Sequence, residues 1–347
     1  MIRFLMAAAL SLAALLCGAD AWAQGRVKIE VGSVPSLSGG PIWIAKEKGY
    51  FDEVGLDVNI HPFTSSSGEV AALIATNQLQ MVGGALSVGF FNSVDKGIPV
   101  KILLSRGTSP AYNILMLRPD LQATVKKAAD LKGRPIAIVA RGSIIVYQVG
   151  KILETGGLTL KDIEAKYMPF TDMAVALQNK AIDAALMIPP LSELVAEKGL
   201  AVKFIDSDDA IKVQPAMIAV KQVNTAWAEK NPKAVRDFVY AYERGVRDYC
   251  VAYHGGPNRA EIVKILAANT DVHDPALIEK MAWGSRDPYA RLFEASLNDI
   301  QDFYLKEGLI ARRFKMEELV ATEYLDEANR KLGPFVLPVA SAKAGCR

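Results

Sequence analysis

Residues 27–63 read VKIEVGSVPSLSGGPIWIAKEKGYFDEVGLDVNIHPF. Val27, Ile29 and Val31 alternate with Lys28, Glu30 and Gly32, the two-residue period of a half-buried strand. Gly40-Pro41 then opens a short helix, since proline is pre-set for the first helical position. Lys46, Lys48 and Gly49 close it, the lysines suiting the negative end of the helix and the glycine its left-handed cap. Leu56, Val58 and Ile60 restore the strand period. Strands separated by helices of this length predict an α/β domain built on a parallel sheet.

The pattern continues outward. A helix over 68–76 carries Val70, Leu73 and Ile74 on one face, and a strand over 100–105 completes the first unit. A second cycle offers strands at 112–117, 134–140, 165–170, 182–188, 202–205 and 216–220, with helices at 143–154, 172–180 and 192–198. Beyond Lys221 the reading is helical throughout, at 232–253, 259–268, 275–283, 289–306 and 316–331. In the longest of these, Val235, Phe238, Val239, Tyr242, Val246 and Tyr249 recur at three- and four-residue steps, the stripe of a helix packed on a core.

The chain has 347 residues, 51% of them hydrophobic, which excludes disorder and provides for two cores. With 40 Lys+Arg against 38 Asp+Glu and no basic tract, it lacks the electrostatic footprint of a nucleic-acid binder. His61, His254 and His273 form no ligand pair, and three cysteines form no C-x-x-C, so no metal site is expected. Arg3, an apolar run over 4–16 and Ala21-Trp22-Ala23 have the form of a cleavable secretory signal over residues 1–23, cut after Ala23. The run has 13 residues where a bilayer needs about 20. Leu16 stands where a lipobox wants a small residue, which favours the cleavable signal over lipidation at Cys17. An exported protein could bridge Cys250 to Cys346 and tie down the tail; the alternative is a buried thiol and a free terminal one.

No Gly-x-Ser-x-Gly, Walker loop or Gly-x-Gly-x-x-Gly occurs. The carboxylate pairs Asp208-Asp209 and Glu317-Glu318 read as a turn and a solvated helix start, so neither a catalytic constellation nor a cofactor is expected. The informative segments are loops after the strands: 35–40, 63–68, 83–87, Arg141-Gly142-Ser143 and Phe170-Thr171-Asp172. In parallel sheets a ligand lies off the carboxyl ends of the strands, where small residues admit backbone N–H groups and helix amino ends favour an anion. Singly, such residues are ordinary caps and turns. Five loops at corresponding ends of two units point to a shared site.

These residues resemble the solute-binding proteins of the nitrate, sulfonate and taurine class of ABC importers, which includes thiamine-pyrimidine binders. The resemblance rests on Pro41 to Ala45 with Lys48-Gly49-Tyr50-Phe51, Gly55-Leu56-Asp57-Val58, Asp130-Leu131-Lys132-Gly133, Ala181 to Ala185 before Pro189-Pro190, and Asn231-Pro232. It implies the type II periplasmic binding protein fold: two α/β lobes joined by two crossovers, with the ligand between them and a helical carboxy-terminal segment. Lobe 1 would comprise 24–107 and a mostly helical return over 221–336, lobe 2 would be 108–220, and 337–347 a tail. Reading the residues alone also places crossovers near 105–112 and 213–221.

Carried onto this sequence, the family's ligand contacts fall on Ser38, Gly39, Thr64, Ser65, Ser66, Ala85, Ser87, Arg141, Gly142, Ser143, Thr171 and Asp172. The loops offer Arg106 and Arg141 against Glu69 and Asp172, with Asp172 read as a helix cap and Glu69 as a first-turn acid facing water. The balance favours a small organic anion, a carboxylate or sulfonate. Phe63, Phe170, Tyr147 and Met187 supply either an apolar wall or core. The expectation is a monomeric, non-enzymatic periplasmic receptor serving an ABC permease and ATPase. The alternatives are a thiamine-pyrimidine binder or related enzyme, and a sensory module presenting its ligand.

Overall fold

The computed structural model describes residues 25–63 and 72–347. The signal segment, Cys17, Thr64, Ser65, Ser66 and Glu69 lie outside the described residues.

Two five-stranded sheets form two lobes. The strands are β1 (Val27–Ser33), β2 (Leu56–Pro62), β3 (Met81–Ala85), β4 (Val100–Thr108), β5 (Ile114–Leu117), β6 (Pro135–Ile138), β7 (Glu164–Tyr167), β8 (Ala184–Met187), β9 (Val202–Asp206) and β10 (Met217–Asn224). Lobe 1 has the order β2-β1-β3-β10-β4 and lobe 2 the order β7-β6-β8-β5-β9. The chain leaves lobe 1 after β4 and returns in β10.

Neither sheet is wholly parallel, which corrects the expectation from strand spacing. β1 is parallel to β2 and β3, but β10 is antiparallel to β3 and β4. In lobe 2, β6 is parallel to β7 and β8, but β5 is antiparallel to β8 and β9. The reversed strands are the two that enter a lobe from the other. Loops at the carboxyl ends of both sheets meet, with the Val88 N–H donating to the Gly142 carbonyl at 3.0 Å. A chain crossing there enters the second sheet from its carboxyl end and must run against it.

The helices that matter for the site are α1 (Gly40–Glu47), α2 (Val88–Asp95), α3 (Ile144–Thr155), α4 (Phe170–Gln178), α5 (Pro232–Tyr253) and α6 (Glu294–Lys306). All six stripe residues of α5 are buried against the lobe 1 sheet and α1. A second apolar cluster is continuous between the lobes: Leu86, Val88 and Phe91 of lobe 1 join Ile145 and Tyr147 of lobe 2 through Phe303 and Tyr304 of α6. The helical return therefore packs on both lobes. Lys151 of lobe 2 pairs with Asp299 at 3.0 Å, and Tyr147 donates to the same carboxylate at 2.5 Å.

Several expected helices are shorter. The segment expected to be helical over 316–331 divides into Met316–Leu319 and Glu323–Leu332, because the Ala321 N–H between them donates to the Ile102 carbonyl at 2.9 Å on the open edge of β4. α6 starts at Glu294, since the Asp287 carboxylate takes the Arg291 N–H at 2.7 Å and its guanidinium and holds the preceding turn. Helix Pro275–Lys280 stops short of Trp283. The tail docks on lobe 1, with Tyr253 donating to the Ala344 carbonyl at 2.7 Å and Ser285 accepting from the Cys346 N–H at 3.0 Å. Cys250 and Cys346 are both free, buried thiols, and burial together with the neighbouring Cys346 pushes the Cys250 thiol up.

Candidate functional site

The candidate site lies where the strand-end loops of the two lobes face one another. On lobe 1, the turn after β1 is held from beneath. Arg106 on β4 donates through Nε to the Ser38 carbonyl at 3.1 Å and through Nη2 to the Ser38 hydroxyl at 2.7 Å, and Ser36 and Ser38 share a 2.8 Å hydrogen bond. Arg106 is only 3% exposed. Burial and the charge of nearby Arg286 pull its guanidinium down to about 10. The Phe63 ring, after β2, packs over Gly32 and Gly84. At the end of β3 Ala85 is exposed, and Ser87 caps α2 in extended backbone with no side-chain bond to the helix.

On lobe 2, Ser143 occupies the cap of α3, but its hydroxyl turns back to the Ala140 carbonyl at 2.8 Å. The first N–H groups of α3 are thus left without a side-chain cap, as are those of α2. Gly142 has a φ of +82° and its missing Cβ would lie 3.2 Å from that of Val88, so this close contact between lobes requires glycine. Arg141 is exposed and stacks on the Tyr167 ring at 4.6 Å, which leaves its donor edge free of any carboxylate among the described residues.

The remaining expected residues fall as follows. Thr171 and Asp172 are exposed and bonded to each other at 3.0 Å. Pro169, not Asp172, holds the cap of α4, because the helix begins at Phe170 and places Asp172 in its first turn. Met187 is fully buried in the lobe 2 core with Met116, Met173 and Leu177. Tyr147 is buried against Phe303, leaving Phe63 and Phe170 as the partly exposed aromatics of the group.

Three residues around these loops escaped sequence reading. Tyr304 donates to the Leu86 carbonyl at 3.2 Å and the Ser143 carbonyl at 3.4 Å, fastening a loop of each lobe to α6. Lys221 on β10 and Arg286 are buried near Arg106. The one signal for Lys221 was a lysine placed directly after the apolar run Ala216 to Val220. No group of three or more His, Cys, Asp or Glu among the described residues is placed to hold a metal, and no described helix is long and apolar enough to cross a membrane.

A family model described as NMT1/THI5 like matches residues 38–253, from the Ser38 turn to the end of α5. The chain belongs to that family. Two curated relatives are similar over somewhat less than two thirds of their own length. The 4-amino-5-hydroxymethyl-2-methylpyrimidine phosphate synthase THI11 of Saccharomyces cerevisiae is 26% identical over 61% of this chain and 63% of its own. The riboflavin-binding protein RibY of Chloroflexus aurantiacus is 26% identical over 64% and 62%. Among solved structures, a ligand-binding component of an ABC-type import system from Staphylococcus aureus superposes with a TM-score of 0.71 at 13% identity, covering 88% of this chain and 100% of its own. The alkanesulfonate-binding protein SsuA of Xanthomonas axonopodis pv. citri gives 0.67 at 16% over 86% and 100%. The nitrate-binding protein NrtA of Synechocystis PCC 6803 gives 0.67 at 15% over 88% and 89%. This member of the NMT1/THI5-like family has their fold, the type II periplasmic binding protein fold with its helical carboxy-terminal segment.

Proposed function

We propose that this protein is the extracytoplasmic solute-binding component of an ABC importer, closing two lobes on a small organic anion and passing it to a permease driven by an ATPase. The observation that carries this reading is the meeting of two helix amino ends, Ser87-Val88 of lobe 1 and Gly142-Ser143 of lobe 2, with neither serine side chain spent on its own helix. Apart from the Val88 N–H, which already donates to Gly142, such ends present N–H groups and a positive dipole to an anion. Arg141 adds a bidentate donor at the same rim. Phe63 and Phe170 offer apolar surface for the organic body. Hinge closure needs no bond chemistry, in keeping with a binding protein rather than an enzyme. The apolar run and Ala21-Trp22-Ala23 support export to the periplasm with cleavage after Ala23. RibY and THI11 also bring heterocycles into the range of ligands to be tried.

The test is a thermal-shift screen of the protein against aryl and alkyl carboxylates, sulfonates, nitrate, thiamine-pyrimidine precursors and riboflavin. A ligand at about 100 times its dissociation constant stabilises by about 2.7 kcal/mol. If only cationic or neutral compounds raise the melting temperature, the anion assignment fails.

A further inference from the structure

Beneath the Ser36–Gly39 turn, lobe 1 gathers three cationic heads with no carboxylate beside them among the described residues. Arg106, Lys221 and Arg286 are 3%, 0% and 2% exposed. Gly83 lies between two of them. A Cβ there would come within 2.6 Å of Lys221 Nζ and 3.3 Å of Arg106 Cδ, so a side chain at this position would displace the Lys221 ammonium. Arg286 donates through Nη1 to the Arg106 carbonyl at 2.8 Å and to the Ser38 carbonyl at 3.3 Å.

Their remaining donors are unanswered. Lys221 Nζ, Arg286 Nε and Arg286 Nη2 have no hydrogen-bond partner among the described residues, and neither do the hydroxyls of Ser33, Ser105 and Tyr242. The aromatic faces that cover the cations, Tyr242 for Lys221 at 5.3 Å and Tyr249 for Arg286 at 3.8 Å, carry no net charge. The acids next in sequence are engaged elsewhere: Glu243 pairs with Arg247 at 3.0 Å, and Asp287 with Arg291 at 2.7 Å. Buried charge is normally paired or removed. Burial and the neighbouring Arg106 press Lys221 toward its neutral amine. Loss of that proton still leaves two guanidinium groups, which do not deprotonate in proteins. The charge balance of the cluster therefore asks for an anion.

We infer that lobe 1 carries a resident monovalent anion of chloride size, held by Lys221, Arg286 and the Tyr242 hydroxyl beneath the Ser38 turn and separate from the transported solute. Among the described residues the surroundings offer donors and no carboxylate, which suits a halide. With its cations at most 3% exposed, the position suits a small ion rather than an organic cargo. Its consequence is a fixed cleft floor: the anion ties the strand carrying Lys221 to the arginines that hold the Ser38 carbonyl.

The experiment compares the unliganded wild type with Lys221→Met in chloride and in gluconate at constant ionic strength, and soaks wild-type crystals in bromide. The wild type should melt about 2–4 °C higher for each tenfold rise in chloride above the dissociation constant. The variant should lose that dependence whatever its own stability, and bromide should give an anomalous peak beside Lys221 Nζ. A wild type indifferent to chloride with no bromide peak, or a chloride response unchanged in Lys221→Met, overturns the assignment. None of these readouts involves the transported solute, so they stand or fall separately from the proposed transport role.

Discussion

Replacing Tyr304 by phenylalanine tests whether α6 fastens the two lobes through a single hydroxyl. Tyr304 is fully buried, and its hydroxyl is shared between the Leu86 carbonyl of lobe 1 and the Ser143 carbonyl of lobe 2. The ring contributes separately, meeting Phe91 edge-on at 5.9 Å and Phe303 at 6.0 Å, and phenylalanine keeps those contacts. What is lost is one shared proton, a net hydrogen bond of about 1 kcal/mol. The Ser143 carbonyl retains the Val146 N–H at 3.0 Å, whereas the Leu86 carbonyl is left without a donor among the described residues, raising the expected total to about 1–2 kcal/mol. Tyr304→Ala also removes the ring and opens a cavity, for about 3–5 kcal/mol. Urea unfolding of the three proteins at pH 7 measures both differences. A Tyr304→Phe protein within about 0.5 kcal/mol of wild type, the scatter of neutral surface changes, would refute a fastening role for the hydroxyl.

Three further outcomes are expected. Arg141→Ala should weaken binding of the anionic ligand found in the screen by about 10- to 100-fold, the worth of a charge-assisted hydrogen bond. Its unliganded melting temperature should stay put, because Arg141 is exposed; calorimetric titration that finds equal affinity removes Arg141 from the site. Between pH 4.5 and 7 stability should fall as pH rises. Burial raises Asp208 to about 6, with Asp206 adding to it, and raises Glu243 to about 7 despite Arg247. In that window the folded state binds more protons than the unfolded, so deprotonation favours unfolding, and above about 7 the effect levels off. Urea midpoints across this range check the slope, and Asp208→Asn should flatten its lower part. Finally, mild oxidation should join Cys250 to Cys346, seen as two thiols lost in denaturant. The closed loop of nearly 100 residues sets a ceiling of about 4–5 kcal/mol on the gain. Cys346→Ser should abolish that gain, and a wild type that retains both thiols after oxidation would count against the pairing.

The first strand, helix and strand were legible because alternation and three-to-four spacing are local signals, and α5 was legible for the same reason. Periodicity is blind to direction, however. Nothing in Tyr112 to Leu117 or Ala216 to Val220 distinguishes a strand running with its neighbours from one running against them; the reversal comes from where the crossover enters. The loops after β1, β3 and β6 could be found from their Ser and Gly content. The fate of their neighbours depended on packing at a distance. Arg106 reads as an arginine at a strand end, and only the turn above it, brought over by α1, draws it inward to Ser38. Lys221 is buried because α5, which begins eleven residues later, covers its face of the sheet. Asp172 has the composition of a cap, but Pro169 reaches that position first and fixes the start of α4.

β4 and β10 are antiparallel neighbours whose ladder runs from Val100 opposite Asn224 to Thr108 opposite Met217. Topologically they are the two arms of a hairpin, and the whole of lobe 2 is its loop. Covalently, everything between residues 108 and 217 hangs from one paired end, so replacing that segment by a tight turn leaves the lobe 1 sheet with every strand it has now, while baring the Phe303 and Tyr304 face of α6. The same geometry makes lobe 2 an exchangeable cassette. A relative's equivalent segment spliced between Thr108 and Met217 would bring its own half of the cleft, while the Ser38 turn and its buried arginines stayed behind.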